Sequence, residues 1–188
     1  GSLTRSILKI KSAIVFAIDK DIQSEKMLRE LNIVYKDRLK IVIDDALHYP
    51  IWNLGEAPRQ VIANLPYNVG TKMLLTWLKH IKNFDLLTLM FQKEVAERIV
   101  AKPGSKNYGR LSILTNWLTE SSKLFDVPSE AFIPRPKVKS SVIQLKPLSK
   151  PLYEVSFEAL EKITHLAFSQ RRKMLKSSLR GINGKKIL

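Results

Sequence analysis

The chain has 188 residues, enough for one domain with a substantial core, and its lack of cysteine excludes disulfides and thiolate metal sites. Its 45% hydrophobic content is that of a globular protein, its three histidines (His48, His80, His165) are scattered rather than clustered, and no apolar run reaches the roughly 18 residues of a membrane span. The net charge is +15, and from Arg135 onward 13 basic and 3 acidic residues supply +10 of it, a balance that favours a phosphate backbone over an anionic membrane surface.

With no visible signal peptide and no membrane span, a soluble cytoplasmic protein without a metal is expected. In chain order, Leu3, Ile7 and Leu8 give the first residues a helical pattern. Ile14–Ile18 is a continuous apolar run and predicts a buried parallel strand, ending in Asp19-Lys20-Asp21. Gly1 and Asp19 lie 18 positions apart. In a dinucleotide-type βαβ unit the glycine loop and the ribose-binding acid are separated by about 20 residues. On spacing alone, Asp19 suits a ribose diol and a turn or helix N-terminus equally well. Gln23 to Leu31 reads as a helix and Leu39–Ile43 as a second strand, followed by Asp44-Asp45-Ala46. A carboxylate there suits an exocyclic amine such as that of adenine, or caps the next turn. The third strand, Gln60 to Ala63, leads into Asn64-Leu65-Pro66-Tyr67-Asn68. An amide, a proline and an aromatic at a strand's C-terminal edge suit a flat, nitrogen-bearing ring, and that edge is where open α/β sheets bind ligands.

Thr71 to Ile81 is a periodic helix with Met73, Leu74, Trp77, Leu78 and Ile81 on one face, a core stripe. Leu86–Phe91 is another buried strand and Gln92 to Ala101 a helix. Lys102 to Arg110 is a basic loop, and Arg110 to Leu118 returns to helix. Lys123–Val127 and Val142–Leu145 predict a closing antiparallel pair. Between them, Pro134 and Pro136 stiffen the Phe132–Ser140 loop, so that Phe132 is held in place. After the linker Lys146–Pro151, a helical stripe runs through Phe157, Leu160, Ile163, Leu166, Ala167 and Phe168, followed by the basic stretch Ser169–Leu179. The alternation argues for an α/β doubly wound sheet with mostly parallel strands. Residues 1–147 are expected to form the main domain, truncated at its N-terminus, and 148–188 to begin a small helical one. A nucleotide-binding sheet should open with a strand and a full glycine loop; this chain begins where that loop should be ending.

Asn64-Leu65-Pro66-Tyr67 resembles the amino-methyltransferase signature of S-adenosylmethionine-dependent enzymes, Asn/Asp/Ser-Pro-Pro-Tyr or Asn-Leu/Ile-Pro-Tyr. Tyr108-Gly109-Arg110-Leu111-Ser112, Phe132-Ile133-Pro134-Arg135-Pro136-Lys137-Val138-Lys139-Ser140 and Phe168-Ser169-Gln170-Arg171-Arg172-Lys173 extend the likeness over essentially the whole chain. Together they resemble the small-subunit ribosomal RNA adenine dimethyltransferases, whose bacterial members determine kasugamycin sensitivity. The resemblance implies a Rossmann-like methyltransferase sheet, here without its first strand, and S-adenosyl-L-methionine as cofactor. It implies N6-dimethylation of two adjacent adenosines near the 3′ end of small-subunit (16S-type) rRNA. The partner would be the immature small ribosomal subunit, met by a monomer and coupled to ribosome maturation.

By the same resemblance, Gly1 is the last glycine of the glycine loop, Asp19 holds the cofactor ribose, Asp45 with Ala46 meets the cofactor adenine, and Asn64 lies between cofactor and substrate. The family usually has Glu where Asp19 stands, one methylene longer. Asn64, Leu65 and Pro66 would shape the N6 nucleophile, and Tyr67 and Phe132 would hold the flipped base. Arg110, Arg135, Lys137, Lys139, Arg171, Arg172 and Lys173 are the candidates for RNA phosphates. Macrolide-resistance methyltransferases of large-subunit rRNA share the Asn-x-Pro-Tyr and Phe-x-Pro-x-Pro elements, but the Tyr-Gly-Arg-Leu-Ser and Gln-Arg-Arg-Lys pieces favour the small-subunit type. The reading from another class is a non-catalytic RNA-binding or ribosome-assembly module on the same fold.

Overall fold

The structure is a computed structural model that describes residues 2–169 and 175–179; Gly1 and the Arg171-Arg172-Lys173 cluster lie outside the described residues. The chain divides into two compact units, Gly1–Arg59 and Gln60–Leu188.

The first unit contains helix α1 (Ser2–Leu8), strand β1 (Val15–Asp19), helix α2 (Ile22–Val34) and strand β2 (Leu39–Ile43). β1 and β2 are parallel, in register from Val15 opposite Leu39 to Asp19 opposite Ile43, with α2 as the crossover. α2 starts where it does because the Asp21 side chain accepts a hydrogen bond from the Gln23 N–H at 2.9 Å, an N-cap. Leu28 and Leu31 of α2 pack with Leu8, Ala17 and Leu39 into a small core. Arg38 donates to the carbonyls of Leu8 (3.1 Å), at the end of α1, and Ile10 (2.8 Å), in the turn that follows.

The second unit opens with strand β3 (Gln60–Asn64), helix α3 (Gly70–Lys79), strand β4 (Leu86–Gln92) and helix α4 (Lys93–Val100). Helix α5 (Arg110–Leu118) follows, then strands β5 (Thr119–Val127) and β6 (Ser140–Pro147) and helices α6 (Phe157–Phe168) and α7 (Leu175–Ser178). The sheet order is β3-β4-β6-β5. β3 and β4 are parallel; β6 runs antiparallel to both β4 and β5. The α3 stripe of Met73, Leu74, Trp77 and Leu78 is buried, as the periodicity predicts. Ile81 is buried too, but in a separate 3-10 turn, Ile81–Asn83. Leu87, Leu89 and Phe91 of β4 and Ile143 and Leu145 of β6 belong to the same buried set.

The closing antiparallel pair is present and longer than the sequence predicts, with β5 beginning at Thr119 rather than Lys123 and β6 at Ser140 rather than Val142. The added inward positions are polar, which hides them from a hydrophobicity pattern. Each hydroxyl has a partner: Thr119 bonds the Thr115 carbonyl (2.9 Å) and Ser121 the Asn116 amide oxygen (2.7 Å). α6 packs against α5. Arg110 pairs with Glu161 at 2.7 Å, the Trp117 and Phe157 rings meet at 6.2 Å between centroids, and the Trp117 indole N–H donates to the Tyr153 carbonyl at 2.8 Å.

Candidate active site

The three predicted strand edges are present. In the first unit the register brings Asp19 beside the segment that follows β2, and the Asp44 N–H donates to the Asp19 carbonyl at 3.1 Å. Asp19 Oδ1 accepts the Asp21 N–H at 3.0 Å, so one carboxylate oxygen holds the turn, while the helix N-cap is Asp21. No partner occupies Asp19 Oδ2 among the described residues. Asp45 is similar: its Oδ1 accepts the Leu47 N–H at 2.9 Å and fixes the turn that contains Ala46. Both carboxylates are half-buried at the C-terminal edge of a parallel pair. Those acceptor oxygens fit a ribose diol and an exocyclic amine, both of which donate hydrogen bonds.

In the second unit, β3 ends at Asn64, and its side chain makes no hydrogen bond among the described residues. Leu65 is buried, and its N–H donates to the Met90 carbonyl at 3.3 Å, extending the β3–β4 ladder by one bond. The Pro66 carbonyl accepts from both the Val69 N–H (3.2 Å) and the Gly70 N–H (2.8 Å), which turns the chain into α3. Both of its lone pairs are therefore engaged. Gly70 is buried against this turn: a Cβ on it would lie 3.1 Å from Leu65 Cβ and 3.3 Å from Phe91 Cε1. Glycine is the residue that lets helix and turn approach this closely. Tyr67 is 39% exposed, and its hydroxyl shares a 2.8 Å hydrogen bond with Ser140 Oγ at the start of β6.

Next to Ser140 lies a charged node. Lys93 Nζ meets Asp126 Oδ2 at 2.7 Å, while Ser141 Oγ (2.7 Å) and Lys123 Nζ (3.1 Å) donate to Asp126 Oδ1. The Lys93 N–H donates to the Lys139 carbonyl at 2.9 Å. The hydrogen bonds from Lys93, Ser141 and Lys123 hold the Asp126 carboxyl well below the usual carboxylate range, and the bond to Asp126 raises Lys93. Glu130 is lowered chiefly by a hydrogen bond from its own backbone, with the Arg135 charge adding to it.

The phosphate candidates separate into two groups. Arg110 is engaged with Glu161, and Arg135 with Glu130 and, at 3.1 Å, with Ser129 Oγ. Lys137 and Lys139 are exposed and form no ion pair among the described residues. Phe132 is half-buried, its N–H donating to the Ser129 carbonyl at 3.3 Å. Within Tyr108–Ser112, Ser112 is fully buried: its hydroxyl accepts from the Gly109 N–H (3.0 Å) and donates to the Arg98 carbonyl (2.6 Å). That part of the motif caps α5 and ties it to α4. Among the described residues no group of three or more His, Asp or Glu side chains is placed to hold a metal ion. None of the described helices is long and apolar enough to cross a membrane.

Parallel βαβ units that carry carboxylates, and an amide before a proline and an aromatic, on their C-terminal strand edges define an α/β nucleotide-handling fold. The family profile described as Ribosomal RNA adenine dimethylase matches residues 1–188, and the chain belongs to that family. It is 48% identical over 182 residues to the ribosomal RNA small subunit methyltransferase A of Rhodospirillum rubrum, covering 97% of this chain and 63% of the relative. Against the protein of the same name from Paramagnetospirillum magneticum the identity is 46% over 184 residues, covering 98% and 66%. The chain thus spans about two thirds of the length of these relatives. Among solved structures it is similar to a dimethyladenosine transferase from Plasmodium falciparum (TM-score 0.75, 28% identity, 88% of this chain and 58% of that one). It is also similar to the 23S rRNA methyltransferase ErmE (TM-score 0.73, 25% identity, 95% and 70%). The Rossmann-like methyltransferase fold is that of these neighbours.

Proposed function

We propose that the chain is the catalytic portion of an S-adenosylmethionine-dependent enzyme that dimethylates N6 of two adjacent adenosines near the 3′ end of small-subunit rRNA, acting on the immature small ribosomal subunit. The observation that carries this reading is the Asn64–Tyr67 turn. An adenine N6 lone pair is delocalised into the ring and is a weak nucleophile. The Asn64 amide oxygen, without an internal partner, accepts one amino hydrogen. The second acceptor is the Leu65 carbonyl, because the Pro66 carbonyl is already doubly bonded within the turn. Two acceptors pull the nitrogen toward tetrahedral geometry and localise its lone pair, a matter of positioning and transition-state electrostatics. Tyr67, half-exposed and tethered at its hydroxyl, stacks on the base, and Phe132 holds the other side. After attack the ammonium proton is strongly acidic and leaves to solvent, so no dedicated base is needed.

S-adenosylmethionine supplies an electrophilic methyl group when bound. The free oxygen of Asp19 fits its ribose, and Asp45 with Ala46 its adenine. Lys137 and Lys139 serve RNA phosphates, and residues 148–188 begin the helical RNA-binding portion. The names of the relatives support small-subunit rRNA over large-subunit rRNA as substrate.

The test is tritiated methyl transfer to immature small subunits by the intact protein and its Asn64→Ala variant. Loss of one preorganised polar group lowers kcat by about 10²–10³-fold, while RNA affinity by filter binding stays within about twofold, since phosphate contacts dominate it. Parallel loss of both transfer and affinity refutes the role of Asn64.

A further inference from the structure

Resting on that reading, we infer that Ser140 is a positioning residue for the substrate base, acting through Tyr67. The two residues are 73 positions apart in sequence, and their hydroxyls meet at 2.8 Å. The Ser140 end of this bond is fixed. Ser140 is fully buried and lies in the strand that runs between two others, opposite Gln92 of β4 and Val127 of β5. Its predecessor is held by the Lys93 N–H on the Lys139 carbonyl, and its successor by Ser141 Oγ on Asp126.

The Tyr67 end is the loose one. It sits in the turn between β3 and α3, on a side chain that is 39% exposed. A phenol held at its tip cannot swing about χ1, and because its O–H and lone pairs prefer the ring plane the bond also biases rotation about χ2, yet it consumes neither ring face. The rigid partner therefore gives an exposed aromatic a fixed position and a favoured tilt as a stacking surface. A preset surface of this kind favours the flipped base in its reactive pose without adding affinity for the RNA backbone. The bond is a single neutral hydrogen bond, a class whose net contribution to folding is modest.

The experiment is a double-mutant cycle in the intact protein with Ser140→Ala, Tyr67→Phe and the pair, read by methyl-transfer kinetics. A second readout is the fluorescence of RNA carrying 2-aminopurine at the target base, which stacking quenches. Each single variant should lose about tenfold in kcat, equivalent to about 1.4 kcal/mol, with KM for RNA changed less than about twofold. The double variant should lose no more than either single one, and quenching should fall in both singles and vanish in Tyr67→Ala. Melting temperatures should stay within a few degrees of the parent. Tyr67→Phe breaks the same bond from the exposed side, so a folding defect in Ser140→Ala does not obscure the result. Losses that multiply in the double variant, or full activity and quenching in Ser140→Ala, overturn the role of Ser140 while leaving the methyltransferase reading intact. A parent protein that binds the RNA but neither quenches nor transfers methyl overturns both.

Discussion

Replacing Gly70 by alanine asks how tightly α3 holds the Asn64–Tyr67 turn. The added Cβ lies 3.1 Å from Leu65 Cβ and 3.3 Å from Phe91 Cε1, inside the roughly 3.5–4.0 Å of an optimal carbon contact. The Phe91 ring can tilt away. Leu65 Cβ is bonded directly to the main chain and retreats only if residue 65 moves. That residue is tied to Met90 on one side, and its neighbour Pro66 to Val69 and Gly70 on the other. A shift of about 0.4 Å, the shortfall from van der Waals contact, therefore falls on the segment that carries Asn64. Overpacking costs about 1–3 kcal/mol. Alanine returns up to about 1 kcal/mol of helix propensity, and Gly70 is the first residue of α3, where that return is smallest. The net loss is about 0–3 kcal/mol, or roughly 0–12 °C in Tm at 2–4 °C per kcal/mol for a chain of this size. Misplacement by about 1 Å costs about 100-fold in rate, so a few tenths cost about 3–10-fold in kcat. Differential scanning calorimetry and single-turnover methyl transfer measure the two effects. A Gly70→Ala protein that melts higher than its parent and turns over at the same rate refutes the proposed contact.

Asp19→Asn separates the two uses of that carboxylate. The asparagine keeps an oxygen for the Asp21 N–H but offers the ribose an amide N–H donor in place of an acceptor. Affinity for S-adenosylmethionine should fall about 10–150-fold, the value of a charge-assisted hydrogen bond, by calorimetry, with Tm nearly unchanged. The Asp126–Lys93 pair should show in pH–stability profiles of the parent and Asp126→Asn. The folded Asp126 value is depressed, so its contribution is complete above the ordinary carboxylate pKa near 4 and disappears as pH falls toward the folded value. Lys93 is raised, so its share persists through roughly pH 10 and disappears as pH climbs through the folded value. The difference between the two proteins should be flat from about pH 5 to 9 and close at both ends; one that grows on acidification contradicts the assignment. Lys137→Ala and Lys139→Ala should each weaken RNA binding and reduce the log K against log salt slope by about 0.7–0.9. Unchanged slopes place the phosphate contacts elsewhere.

What the sequence discloses follows from what each residue does. Strands β1, β2 and β4 are legible because their buried positions are apolar, β3 from its Val61-Ile62 pair although none of its residues is fully buried, and α3 because its stripe keeps a helical period. The start of β5 is not, because Thr119 and Ser121 fill inward positions that a pattern reader expects to be apolar, and hydrogen bonds back to Thr115 and Asn116 at the end of α5 satisfy their hydroxyls there. Asp19 shows the same limit from the other side. Spacing cannot choose between ribose and turn because the carboxylate has two oxygens; the structure assigns one to the turn and leaves the other open.

A matched motif also mixes chemistry with scaffolding. In Tyr108–Ser112 the residue with the clearest task is Ser112, which caps α5 and binds the end of α4. Arg110 is drawn into an ion pair with α6. In Phe132–Ser140 the basic residues divide between Arg135, which braces the loop on Ser129 and Glu130, and the unpaired Lys137 and Lys139. The last serine of that motif attracts no attention in sequence, since a lone hydroxyl at a strand start has many ordinary uses. Only the fold reveals that its partner is the tyrosine of the other motif, 73 residues earlier. The two segments are thus physically joined: the turn carries the ring, and the strand holds its hydroxyl.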